Sequence, residues 1–241
     1  MTDNLGMGKD ARRVISLEIL AGKQTFRDGF RQELESVTAN GHSFEECKKI
    51  LRENIKLDPG FKEFYQWCKA NDIPVIIVSR RAHLLIRVCA GMTPIIRTVL
   101  ANLIGEDDAK DIEIISNDVT VHPDGKWEIK YRHPSRRAPG ALLTLRTPTS
   151  GFGHDKSQAI LPYSELPDPP TTFFFGDGVS DMSAARHADV LFVKAKEDEN
   201  DLAAYCRKEG IKHIIFSDFS EALPIVESVV KGKKTVAEVL G

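Results

Sequence analysis

Apolar and polar positions along the chain follow two different rhythms. From residue 9 to residue 57 the pattern is charged and helix-like. Within this stretch Ser43-Phe44-Glu45-Glu46 has the form of a capping box, a hydroxyl followed three residues later by a carboxylate. After Asp58-Pro59-Gly60, where Pro59 suits a first helical turn, Phe61, Phe64, Tyr65 and Cys68 recur at helical spacing and are expected in a core rather than a ligand site. The rhythm then changes. Ile73-Pro74-Val75-Ile76-Ile77-Val78-Ser79 is a continuous apolar, largely β-branched run, the pattern of a strand buried on both faces. Residues 93–104 predict a helix opening at Thr93-Pro94, residues 111–116 a strand, and residues 119–131 a hairpin turning at Asp124-Gly125. Residues 171–175 predict a strand that runs directly into Gly176. Val190-Leu191-Phe192-Val193 and residues 213–216 predict two more, with helical stretches between and after them. Alternating strands and helices imply an α/β fold, a Rossmann-like parallel sheet with helices on both faces. Residues 1–70 form a mostly helical cap region and residues 71–241 the α/β core.

Open parallel sheets bind ligands beyond the C-terminal ends of their strands, so the residues just after each strand are the functional candidates. Gly176-Asp177-Gly178-Val179-Ser180-Asp181 is the strongest of these. Two carboxylates four residues apart at a strand end can hold a hard cation such as Mg²⁺, and the glycines allow a tight turn and leave room for phosphate. The plainer alternative is a loop in which Asp181 caps the helix that follows, Met182 to Ala188. Ser79 ends a strand, where its hydroxyl could donate to a phosphoryl oxygen or simply face solvent. Lys156 lies at a predicted helix start, where the helix dipole disfavours a cation unless a phosphate or a carboxylate cluster faces it; a solvated lysine is the alternative. His154 is read as structural or exposed.

The order strand–Ser79, Lys156, strand–GDGxxD, with the stretches GFGHDKS (151–157) and FFFGDGVSDMSAA (173–185), resembles the haloacid dehalogenase (HAD) superfamily phosphatases of the phosphoserine-phosphatase type. It is most similar to a fungal branch related to that enzyme and to the methionine-salvage diketo-phosphate phosphatases. The resemblance spans nearly the whole chain. It implies Mg²⁺-dependent hydrolysis of a small phosphomonoester, in which an aspartate of an Asp-x-Asp-x-Thr loop attacks phosphorus and water then hydrolyses the phospho-aspartate. By the same resemblance Ser79 binds a phosphoryl oxygen, Lys156 links nucleophile and phosphate, Gly178 borders the phosphate, Asp177 is a metal ligand and Asp181 supports the metal site.

Three departures qualify this. The Asp-x-Asp-x-Thr pattern is absent from the 241 residues, and with it the strand that should be central in the sheet. Losing that strand would expose the ladders of its neighbours and harm folding, and with no carboxylate placed to attack phosphorus the chain is expected to have little or no activity. Residues 80–90 and 135–149 are Arg-rich, interrupt the family pattern and are expected to be inserts. One account of them is retained intron sequence in a gene model that also lost a first exon. A second is a divergent, non-catalytic phosphate-binding or interaction protein, and a third is that the basic inserts bind an anionic partner. Finally, in Thr25 to Leu34 the stretch matching the family's substrate-contacting Phe…Arg pair keeps Phe26 but puts Glu33 where the arginine would be. An acid there would repel a substrate carboxylate, which argues against phosphoserine.

Composition changes little. With 41% hydrophobic and 28% charged residues and a net charge of -2, nothing points to nucleic acid or an anionic membrane. Four cysteines without CxxC or zinc spacing imply free thiols in a reducing compartment. A polar opening and short apolar runs imply a cytosolic chain, whose oligomeric state the sequence does not reveal.

Overall fold

The computed structural model describes residues 1–79, 92–132, 155–197 and 200–241. The expected inserts at 80–90 and 135–149, and His154, lie outside the described residues. In chain order the helices are α1 (Lys9–Leu20), α2 (Phe26–Ala39), α3 (Phe44–Asn54), α4 (Phe61–Ala70), α5 (Thr93–Ile104), α6 (Glu106–Asp111), α7 (Leu161–Ser164), α8 (Met182–Ala185), α9 (Asp201–Glu209), α10 (Phe219–Val230) and α11 (Val236–Leu240). The strands are β1 (Ile76–Ser79), β2 (Glu113–Ser116), β3 (Asp118–Val121), β4 (Trp127–Lys130), β5 (Phe173–Gly176), β6 (Val190–Lys194) and β7 (Ile214–Phe216). They fall into two compact units, residues 1–55, 76–79, 92–132 and 155 in the first, and 56–75, 156–197 and 200–241 in the second.

In the first unit β1 and β2 pair in parallel, with α5 and α6 between them in the chain. The register runs from Ile76↔Glu113 to Ser79↔Ser116, and the next rung is Met92↔Asn117. Immediately beyond, the Thr93 amide donates to the Asn117 carbonyl at 2.9 Å and the Thr93 and Ser116 hydroxyls lie 2.8 Å apart. The hairpin forms as expected: β3 and β4 are antiparallel, and Gly125 takes the left-handed conformation its turn requires. Helices α2 and α3 pack against this hairpin. Phe44 meets Trp127 with ring centroids 5.5 Å apart, the Trp127 indole donates to the His42 carbonyl at 3.1 Å, and the Tyr131 hydroxyl donates to the Arg27 carbonyl at 2.8 Å. The expected capping box is half formed: Ser43 accepts from the Glu46 amide at 3.2 Å, while Glu46 bonds His42.

The second unit is built on the parallel sheet β5-β6-β7. Successive strand residues face opposite sides, so Phe174, Leu191 and Val193 join Leu202, Ala203 and Cys206 of α9 on one face. On the other face Phe175 stacks on Phe192 at 4.6 Å and meets Phe64 of α4 and Phe216 and Phe219 at 5.0–5.5 Å. Apolar cover on both faces explains why β5 and β6 read as continuous apolar runs. Phe61, Phe64, Tyr65 and Cys68 are all buried, as their spacing implies. Helix α4 opens later than expected. Its N-cap is Gly60, with φ 75°, and Pro59 lies before the cap with its carbonyl accepting from the Phe219 amide. A Cβ on Gly60 would lie 2.4 Å from the Ser220 nitrogen, so both conformation and space demand glycine.

Among the described strands, β1 pairs only with β2, and β5 pairs only with β6. Each is thus an edge of its own sheet.

Candidate functional site

β5 delivers the strongest sequence motif to the end of a buried strand. Gly176 closes β5, and a Cβ there would come within 2.6 Å of Leu202 and 2.9 Å of the Asp181 side chain, so the turn tolerates no larger residue. The chain then folds back through a short 3₁₀ turn, Val179–Asp181, pinned by the Asp181 amide donating to the Gly178 carbonyl at 2.9 Å.

Asp181 organises this loop from inside. One carboxylate oxygen accepts from the Lys156 ammonium at 2.5 Å, and the other accepts from the backbone amides of Asp177 and Gly178 at 3.0 and 3.2 Å. Both side chains are almost fully enclosed, Lys156 at 6% and Asp181 at 2% exposure. Burial pushes the Asp181 carboxyl up, but the Lys156 charge, its hydrogen bond and the two amides outweigh burial and hold it below the ordinary carboxylate range. Lys156 opens the 3₁₀ turn Lys156–Ala159, and the cation expected to need an anion at that position has one. Asp181 immediately precedes α8 but makes no side-chain cap to it; its oxygens turn back to Asp177 and Gly178 instead. The helix is also shorter than the stretch read to Ala188.

Asp177 is differently placed. A second lysine reaches it: the Lys196 ammonium lies 3.2 Å from the Asp177 carboxylate and also donates to the Asp177 backbone carbonyl. Here Asp177 is 11% and Lys196 39% exposed. Beside them, Gly178 borders open space, since a Cβ there would meet nothing within 4 Å.

Lys156, Asp177, Gly178 and Asp181 are thus brought together in the second unit, while Ser79 belongs to the first. At the end of β1, Ser79 is 2% exposed and its hydroxyl has no hydrogen-bond partner among the described residues. A buried, unpaired hydroxyl costs about 1–3 kcal/mol and calls for an explanation, of which a ligand oxygen is one. Glu33 is buried on α2 with Phe26, Phe30 and Leu34.

Lys196 is the residue that sequence reasoning missed. The available signal was positional: it follows β6, the strand beside β5, where a parallel sheet places its functional groups.

A haloacid dehalogenase-like hydrolase family profile matches residues 5–186, which include Ser79, Lys156, Asp177 and Asp181. The chain belongs to this family. It is 40% identical over 223 residues to the Pdp3-interacting factor 1 of Schizosaccharomyces pombe, covering 92% of this chain and 84% of that protein. It is 37% identical to the polyol phosphate phosphatase PYP1 of Saccharomyces cerevisiae, covering 100% of this chain and 90% of that protein. A more distant similarity, 22% identity over 91% of this chain and 44% of the relative, is to the bifunctional enzyme MtnB/MtnX of Bacillus licheniformis. The family and the fungal relatives agree with the resemblance carried by the motif order. Within the described residues, no helix is long and apolar enough to cross a membrane.

The metal expected of this family has to be tested against the donors present. Among the described residues no cluster of three or more His, Cys, Asp or Glu is arranged to hold a metal ion. Asp181 has both oxygens committed to Lys156 and the loop amides. Asp177 already takes a cation, the Lys196 ammonium, at its carboxylate. Mg²⁺ keeps several waters and commonly takes only one or two protein carboxylates together with substrate phosphate, so a single carboxylate beside open space fits it.

Proposed function

We propose that the chain carries the metal- and phosphate-binding machinery of a Mg²⁺-dependent phosphomonoesterase acting on a small polyol phosphate. The observation that carries this is the loop after β5, where a buried Lys156–Asp181 pair fixes the backbone around Asp177 and open space adjoins Gly178. In this reading Asp177 holds the metal, Asp181 holds the loop, Lys156 supplies fixed positive charge next to the phosphate, and Ser79 donates its spare hydrogen bond to a phosphoryl oxygen. Mg²⁺, when bound, would offset phosphoryl charge. The polyol class is supported by the 37% identity to a polyol phosphate phosphatase and by Glu33, an acid where a substrate carboxylate would need a cation.

The same proposal holds that the 241 residues do not complete turnover alone, because no Asp-x-Asp-x-Thr loop occurs among them. The test is phosphate release from a panel of polyol phosphates, sugar phosphates and phosphoserine, with Mg²⁺. The 241-residue chain is expected to release none. A version extended by a strand bearing Asp-x-Asp-x-Thr is expected to hydrolyse polyol phosphates and to lose this on Asp177→Asn. Mg²⁺-dependent turnover by the unextended chain, abolished by Asp177→Asn, would place the nucleophile within it and overturn the claim. A preference for phosphoserine would defeat the argument from Glu33. The second reading, a non-catalytic phosphate-binding or interaction protein, is favoured by the relative whose name is that of an interacting factor; it predicts phosphate binding without turnover in both versions.

A further inference from the structure

We infer that Lys196 is a resident counter-cation at Asp177, occupying its carboxylate until a divalent metal displaces it. The inference rests on the proposed role of Asp177 as the metal ligand. The loop after β5 carries two lysine–aspartate pairs that differ in kind. Lys156–Asp181 is enclosed, at 6% and 2% exposure, and its carboxylate is further held by two backbone amides. Lys196–Asp177 is open on the lysine side, at 39% exposure against 11% for the aspartate.

The backbone leading into Lys196 is tied twice. The Ala195 amide donates to the Phe216 carbonyl at 2.8 Å, and the Asn200 side chain donates to the Lys194 carbonyl at 2.5 Å. This holds the lysine stem at the end of β6, whose ladder to β5 runs up to Gly176↔Val193, one residue short of Asp177. From there the ammonium contacts Asp177 twice, at the backbone carbonyl and at the carboxylate. A lysine ammonium is a compact point charge on a flexible stem, so it can leave the carboxylate for solvent without disturbing the backbone that carries it. An ammonium and a divalent cation cannot both neutralise one carboxylate without repelling each other. Lys196 therefore keeps Asp177 paired in the metal-free protein and raises the metal concentration needed to occupy it.

The test is Mg²⁺ binding to the full chain, followed by calorimetric titration and by the rise in thermal midpoint with MgCl₂, compared among wild type, Lys196→Met and Lys196→Arg. An exposed ion pair is worth about 0.2–1 kcal/mol, so Lys196→Met is expected to tighten Mg²⁺ binding by up to about fivefold. Lys196→Arg, which keeps the charge, is expected to stay near wild type. The gain should shrink at raised ionic strength, because salt screens an exposed ion pair. In an Asp177→Asn background the gain should vanish. Equal affinity in wild type and Lys196→Met, or weaker binding in Lys196→Met, would overturn the inference with Asp177's metal role intact. If neither protein binds Mg²⁺, the metal role of Asp177 falls and the counter-cation falls with it.

Discussion

The two strand ends to which the sequence assigns phosphate chemistry are built in opposite ways. At the end of β5 the chain turns back within a few residues, and the Asp181 carboxylate is committed to a lysine and two amides. At the end of β1 the Ser79 hydroxyl is buried without a partner among the described residues, and the next described rung is Met92↔Asn117. A saturated polar network holds its own geometry, whereas a buried donor with nothing to bond is a standing cost that a ligand can remove. The β5 end therefore holds its own geometry, whereas the buried Ser79 hydroxyl at the β1 end has a hydrogen bond left to give.

The largest effect should come from breaking the saturated end. Lys156→Met leaves Asp181 as a buried charge without its cation, a defect that costs about 3–5 kcal/mol. For a chain of this size that lowers the thermal midpoint by roughly 6–20 °C, measurable by circular dichroism. The pH dependence sharpens the point. The Asp181 carboxyl is held below its ordinary value in the folded chain. Its contribution is thus present above the unfolded-state value, about pH 4, and is lost as pH falls through the folded-state value. The stability gap between wild type and Asp181→Asn should be widest near neutrality and close progressively below about pH 4. A gap that is independent of pH would mean that the carboxylate's charge is not what holds the loop.

Ser79→Ala should act in the opposite direction and more weakly. Removing an unpaired buried hydroxyl is expected to raise stability by about 1–3 kcal/mol. It should also reduce the rise in thermal midpoint that inorganic phosphate or a polyol phosphate produces in wild type. A loss of stability on Ser79→Ala would show that the hydroxyl already has a partner in solution, and the contrast between the two strand ends would collapse.

How much of this the sequence disclosed depends on whether the chemistry was local. The strands at 73–79 and 171–175, the helix at Thr93 and the Asp124-Gly125 hairpin were legible because period and turn residues lie within one short window. Lys156 was legible as a cation in an odd place, but its partner Asp181 is 25 residues away, and only the family's motif order joined them. Lys196 was not legible at all. Its contact with Asp177 depends on β5 and β6 being neighbours in register, which no local window encodes. Pro59 was assigned to the first helical turn because proline suits that position, yet the close approach of Ser220 made Gly60 the cap. That is tertiary packing overriding a local preference.

The smallest expected effect concerns the chain between Ser79 and Met92. Ser79 and Met92 occupy consecutive rungs, opposite Ser116 and Asn117. The entropic cost of closing a chain segment between two fixed points changes by about 0.6 kcal/mol for each doubling of its length. Deleting residues 80–90, so that Ser79 is followed directly by Gly91, should therefore leave the fold intact, with stability unchanged or raised by about 1 kcal/mol. The check is the thermal midpoint and the cooperativity of unfolding of the deletion variant against the parent chain. Retained cooperative unfolding would identify residues 80–90 as an insert in a strand-to-helix junction that is complete without it. A chain that no longer folds would show that these residues hold the β1 end in place, and the bare Ser79 hydroxyl would then have to be explained by them rather than by a ligand.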